Sequence, residues 1–329
     1  MSRSFRDEAS WVKFISSRWR NSRADVSIGD DACVLPAASY AVTTDALLEG
    51  VDFMTSWAPP RAVGCKALAV NLSDLAAMGA SPSFFLITLC IPEDLPDSYV
   101  EGVIEGMKEL SEREGVSCCG GDLSSSRSGL VISITLFGEV VGEPLLRSDG
   151  RAGDYLFVSG TLGAPAEALH SFMSGAKLPV FDSAIPPVSG EDKLLDRFFR
   201  PPSQRELGVF LAEYGIATCA IDVSDGFVVD LHRLCEASGV GAEIEKASLP
   251  VDPLLEGLSP ADRLKRVLYG GEEQVLLFGV DPAYLERVRS SSFPVRCVGR
   301  LVKRPGIVLV SPDGRHEKLA AKGFDHFDC

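Results

Sequence analysis

Short apolar runs of strand character alternate with longer helical segments along most of this chain, which restricts it to layered α/β or α+β architectures. Strands are expected at residues 84–90, 131–137, 155–158, 219–221, 275–280 and 307–310. Helices are expected at 60–78, at 96–114, which opens on a proline and closes at Gly115, and at 225–238, which closes at Gly239. A polar, glycine-rich segment at 147–153 separates two of the strands, so a first domain is expected over residues 1–149 and a second over 150–329. The stretch 174–202 is rich in proline, serine and glycine and reads as a long surface excursion.

Charge narrows the partners. With 32 basic against 46 acidic residues the formal charge is −14, which opposes nucleic-acid binding unless the basic residues cluster, and they do not. An acidic chain still binds polyphosphates when divalent cations lie between them. Nine cysteines, odd in number and without a C-x-x-C pair, point to reduced thiols and a cytoplasmic protein, with Cys118 and Cys119 filling core. The arginines at 3, 6, 18, 20 and 23 accompany Trp11, Phe14 and Ile15, but Asp7 and Glu8 interrupt them, so an amphipathic helix is expected rather than a transit peptide. The longest apolar stretch, 63–80, carries Lys66 and Asp74 and does not read as a bilayer span.

Five short acidic motifs carry the chemistry: G-D-D at 29–31, T-T-D at 43–45, N-L-S-D at 71–74, G-G-D at 120–122 and I-D-V-S-D-G at 221–226. Carboxylates beside hydroxyls and glycines suit a hard cation such as magnesium, which takes oxygen ligands and shares them with substrate phosphates. Each motif alone has a structural reading: Asp30 or Asp31 as a turn residue, Asp74 as a solvated helix position, Asp225 as a helix cap. If Asp31, Asp45, Asp74, Asp122, Asp222 and Asp225 meet at one place beside ATP and a phosphomonoester, several magnesium ions are needed to balance the charge. Other nucleotide and hydrolase signatures are missing, including the G-x-x-x-x-G-K-[ST] loop, the kinase H-R-D and D-F-G motifs, H-E-x-x-H and G-x-S-x-G. His232 and Cys235 stand at helical spacing, where packing is the expected role.

In order, G-D-D-A, T-T-D-x-L-x-E-G-V-D-F, K-A-L-A-V-N-L-S-D-L-A-A-M-G-A, G-G-D, I-D-V-S-D-G and G-G-E resemble the motifs of the thiamine-monophosphate kinase family. That family belongs to a superfamily of ATP-binding enzymes with aminoimidazole ribonucleotide synthetase and selenophosphate synthetase. The resemblance runs from about residue 25 to the G-F-D-H-F at 323–327. It implies two α/β domains, with the N-terminal domains of two subunits pairing in a homodimer and ATP near their boundary. It also implies direct in-line phosphoryl transfer from ATP to thiamine monophosphate with several magnesium ions.

Carried over by motif, the resemblance puts Asp31, Thr43, Thr44, Asp45, Asp74, Asp122, Asp222 and Asp225 around the metals. Gly121, Asp122, Arg147 and Ser224 would contact ATP. Asp52, Glu272 and Phe324 would face the acceptor, while Asp31, Asp74, Asp122 and Arg147 would carry catalysis. The family usually continues G-G-E with D-Y-E-L, whereas residues 272–276 here read E-E-Q-V-L. Two readings of that departure stay open: an adapted acceptor pocket, or drift in a segment behind it. Two other functions also stay in view, a related enzyme with another acceptor and a nucleotide or metal sensor without turnover.

Overall fold

The computed structural model describes residues 32–35, 40–174 and 190–325. The expected first helix and Asp31 lie outside the described residues. Two sheets organise the chain. The first joins β1 (Cys33–Leu35), β2 (Tyr40–Leu48), β3 (Ala80–Pro92), β4 (Ser117–Ser126) and β5 (Val131–Val140) in the spatial order β1-β2-β5-β3-β4. Only its β3–β4 pair is parallel. The second joins β6 (Tyr155–Ser159), β7 (Ala217–Val223), β8 (Gly241–Glu245), β9 (Val275–Val280), β10 (Val295–Val302), β11 (Gly306–Val310) and β12 (His316–Leu319), in the order β12-β11-β8-β10-β6-β9-β7. Helices complete both units, giving the expected two-domain α/β (α+β) architecture: α1 (Pro60–Ala77), α2 (Asp97–Glu114), α3 (Ala164–Met173), α4 (Gly190–Phe199), α5 (Arg205–Glu213), α6 (Phe227–Ser238), α7 (Pro260–Tyr269) and α8 (Leu285–Arg289).

α1 is the shared spine. It is buried on every side, as a helix that is apolar all round must be. Its leucines 68, 72 and 75 lie in the first core, each contributing about 1.5–3 kcal/mol by leaving water. One face rests on β2, β5 and β3, where the period-two alternation of β2 turns Ala41, Thr43 and Leu47 inward. On another face α2 approaches so closely that a Cβ on Gly106 would strike the Arg61 carbonyl, and one on Gly64 the Val103 carbonyl. α5 closes the third side, with Gly208 against the Ala76 carbonyl. The C-terminal half of α1 is thereby held between the two sheets.

Some boundaries differ from the sequence reading. α2 ends at a left-handed Gly115 (φ 70°) and α6 at Gly239 (φ 67°), as the C-cap glycines imply. However, α6 begins at Phe227, and Asp225 is not its cap: Gly226 occupies that position without a side-chain hydrogen bond. Residues 174–202 are not all excursion, because α4 forms within them and buries Phe198 and Phe199 beside Trp57 and Phe172. Apolar residues three and four apart drive that helix inward despite its polar flanks. Cys118 and Cys119 are exposed on β4 rather than filling core, because β4 is an edge strand with no layer packed over it. His232 and Cys235 do have packing roles: the His232 ring bonds the Leu319 carbonyl at 3.0 Å, and Cys235 is buried with its thiol pushed up to about 12.

Candidate active site

The site forms where the C-terminal half of α1 meets β2 on one side and the β7–α6 turn on the other. On the inward face of β2, the Thr43 hydroxyl donates to Asp74 Oδ2 at 2.5 Å, so Asp74 is not a solvated helix position. Asn71, one turn earlier, accepts from the Asp45 amide at 3.1 Å and donates to the Ala67 carbonyl at 3.0 Å. The T-T-D strand and the N-L-S-D helix are thus fastened through backbone as well as side chains. Ser73 faces the other way and donates to Asp222 Oδ2 on β7 at 2.7 Å. Adjacent residues of one helix therefore hold carboxylates from both domains.

The electrostatics record how crowded this region is. Loss of hydration pushes the Asp45 carboxyl up to about 6; its hydrogen bond with Asp74 pulls it down, and Asp225, Asp52 and Glu272 push it up again. The β7–α6 turn, the 48–53 turn and the G-G-E segment thus each place a carboxylate within electrostatic reach of Asp45. Asp52 closes its own turn by accepting from the Leu48 amide at 2.7 Å.

The V-S-D-G turn is shaped by a residue that the motif analysis passed over. Asp230, 1% exposed, accepts from the Ser224, Asp225 and Gly226 amides, each at 3.1 Å, through a single carboxylate oxygen. Its other oxygen accepts from Arg233 at 2.8 Å, and the same guanidinium nitrogen reaches Asp225 at 2.5 Å. Burial and then Asp225 push the Asp230 carboxyl up to about 7 against the pull of Arg233 and the amides. Phe324, half exposed, is brought to this turn by its amide, which donates to the Asp225 carbonyl at 3.0 Å.

The G-G-E segment runs beside it. The Glu272 amide donates to the Ser224 carbonyl at 2.6 Å and its carboxylate lies 3.0 Å from the Lys66 ammonium. Glu272 and Gln274 both adopt left-handed backbone, with φ of 69° and 50°, a conformation that non-glycine residues hold only when their surroundings enforce it. Two of the residues that depart from the family wording turn into the interior. Glu273 is buried against the Gly163 amide, with its carboxyl pushed well above the usual range by burial, while Val275 and Leu276 are core. Gln274, buried with its backbone amide on the Val223 carbonyl, lines a small cavity with Ser73, so both readings of the altered segment stay open.

Not every expected residue joins. Thr44 points from the opposite face of β2, bonding the Ile134 carbonyl at 3.0 Å and pairing its hydroxyl with Thr135 at 3.1 Å. Across the sheet Asp45 stands in register with Ile134, Ile87 and Gly121. Three interstrand spacings therefore separate β2 from G-G-D, about 14 Å at 4.7–4.9 Å each. Within one chain Asp122, exposed at the far edge, does not meet Asp45 and Asp74. Arg147 lies in a short 3₁₀ turn whose carbonyl accepts from Ser238 at 2.6 Å, at the end of α6 remote from Asp225. Among the described residues, no three His, Cys, Asp or Glu side chains form a metal cage by themselves.

Comparison with known proteins follows the same outline. Residues 29–140 match the AIR synthase related protein N-terminal domain, and residues 151–311 match its C-terminal domain. Thiamine-monophosphate kinase of Rhodopirellula baltica is 33% identical over 335 residues, covering 97% of each chain. Thiamine-monophosphate kinase of Bacillus subtilis is 31% identical, covering 98% of this chain and 99% of that one. The solved structure of AaThiL complexed with AMPPCP and TMP superposes with a TM-score of 0.83 at 32% identity, covering 99% of this chain and 100% of that one.

Proposed function

We infer the reaction from a plain premise: the chain belongs to the thiamine-monophosphate kinases, a family built on the two AIR synthase related domains. It is an ATP-dependent phosphotransferase that converts thiamine monophosphate to thiamine diphosphate. The observation that carries this reading is the gathering of Asp45, Asp74, Asp222 and Asp225 around α1, with Asp52 and Glu272 beside them.

Magnesium suits this donor set. Every candidate ligand is a hard oxygen, and the Asp45 carboxyl is held above its ordinary range by burial and by neighbouring carboxylates. The incomplete cage fits as well, since magnesium takes a few carboxylates and draws its remaining ligands from phosphates and water. Thr43, Asp45, Asp74, Asp222 and Asp225 would hold the ions, with Asp31 added on its motif alone; Thr44, bonded on the opposite face of β2, is left out of the set. Bound there, magnesium supplies neutralisation of the phosphates.

The attacking group is a phosphate oxygen already ionised at neutral pH, so no general base is required and positioning carries the chemistry. Ser224 lies along the ATP side in this reading, and Arg147, at the far end of α6, would have to reach ATP from there; Asp52, Glu272 and Phe324 lie along the acceptor side. Because Gly121 and Asp122 sit three strands from Asp45, they serve the site of a second copy, through a homodimer in which the uncovered edge strand β4 is paired. The unpaired thiols suit a cytoplasmic protein. We divide the domains at residues 149 and 150.

Steady-state assays with thiamine monophosphate, thiamine and unrelated phosphomonoesters, each with MgATP, test the acceptor. Thiamine monophosphate is expected to be preferred over the other phosphomonoesters by roughly a hundredfold or more in kcat/KM. Equal turnover of all phosphomonoesters, or turnover of thiamine alone, would contradict the assignment.

A further inference from the structure

Lys66 is the most deeply buried cation among the described residues, 1% exposed in the middle of α1. Such a position is costly for a lysine: dehydrating an ammonium takes several kcal/mol unless an opposite charge and good geometry compensate it. Two groups do so. The Glu272 carboxylate approaches to 3.0 Å, and the Phe198 ring lies beneath the ammonium, 3.4 Å from its centroid. Burial draws the Lys66 pKa below its ordinary value, while Glu272 and then Asp52 hold it up.

A hydrophobic side chain here would pack α1 at least as stably, so packing does not account for the lysine. Its contact provides the account. Glu272 lies in a left-handed backbone conformation anchored by the Ser224 carbonyl, on the segment next to the V-S-D-G turn. Its side chain remains about a quarter exposed, at 27%, while Lys66 engages Oε1. One carboxylate oxygen is thus pinned from behind, leaving the other able to accept a donor from the open side.

We propose that Lys66 is a positioning and specificity residue for the acceptor: from inside α1 it fixes the direction of the Glu272 carboxylate, and the Phe198 ring fixes Lys66. The acceptor group it selects is a hydrogen-bond donor or cationic ring on the part of the substrate away from the reacting phosphate. This rests on the placement of Glu272 at the acceptor side. Lys66 is held by Glu272 and Phe198, so its replacement is expected to act on the acceptor side rather than the ATP side.

A double-mutant cycle in the full-length enzyme separates these points, using Lys66→Met, Glu272→Gln and the double variant. KM for thiamine monophosphate and for ATP, kcat, the melting temperature and direct calorimetric binding of thiamine monophosphate without ATP are measured for each. Either single change is expected to raise the acceptor KM and Kd roughly tenfold to a hundredfold, with the ATP KM moving less than about twofold. The double variant is expected to be no worse than the weaker-binding single variant.

An unchanged acceptor KM in Lys66→Met, equal rises in both KM values, or fully additive effects would overturn the proposal. If Lys66→Met fails to fold, Phe198→Leu carries the same readout. It is expected to raise the acceptor KM alone, and an unchanged value there is equally contrary. Failure of the unsubstituted chain to phosphorylate thiamine monophosphate would instead refute the underlying reaction, which the same assay reads separately.

Discussion

Asp74→Asn is expected to leave the fold intact and lower kcat by about a hundredfold or more, the scale of losing one preorganised electrostatic group. The argument is geometric. Asp74 accepts the Thr43 hydroxyl, shares a hydrogen bond with Asp45, and adjoins Ser73, which grips Asp222 across the domain contact. Asparagine is isosteric and keeps an acceptor for Thr43, so packing survives while the charge that draws a hard cation is lost. Activity measured across a magnesium titration, with the melting temperature alongside, checks this. Near-wild-type kcat at saturating magnesium would remove Asp74 from the chemistry.

Asp230→Ala is expected to produce the largest loss of stability. One oxygen of Asp230 satisfies three consecutive amides, and the other holds Arg233. Truncation strands those donors in a turn where Gly226 is buried, at about 1–3 kcal/mol for each amide that water fails to reach, so a total of about 3 kcal/mol or more is expected. Turnover falls too, since Ser224 and Asp225 lose their fixed placement. Asp230→Asn, which retains an oxygen for the amides, is expected to recover much of the stability. Urea denaturation of both variants decides the point; an alanine variant within about 0.5 kcal/mol of the parent would show that the clamp does not hold the turn.

How much of this was legible in the sequence depends on the range of the interaction concerned. Local signals were read well where the physics is local: the left-handed glycines that end α2 and α6, and the apolar runs that became β5, β6 and β9. α4 was hidden because its inward face is short and its flanks carry the proline and serine of a loop. Strand order is not written in any single strand. For that reason the G-G-D motif was expected beside T-T-D, whereas the β2-β5-β3-β4 order sets them three strands apart.

The same limit applies to Cys118 and Cys119: cysteine is among the most often buried residues, and nothing local marks β4 as an edge strand. Asp230 belongs to no motif, because its three amide partners follow from the turn geometry and not from its spacing. Lys66 does leave a signal, a cation in the middle of an apolar stretch. That cation opens the K-A-L-A block and speaks against a membrane span, and among the described residues no helix is long and apolar enough to cross one.

Phosphorus NMR of the enzyme with MgATP and thiamine monophosphate tests the central claim most directly. Direct transfer predicts that the γ-phosphorus signal of ATP and the monoester signal disappear together, replaced by ADP and a second diphosphate ester in equal amounts, without inorganic phosphate. The Asp74→Asn variant should show the same conversion slowed by about a hundredfold. Accumulation of inorganic phosphate while the monoester signal persists would contradict the account, because the site would then be passing the phosphoryl group to water.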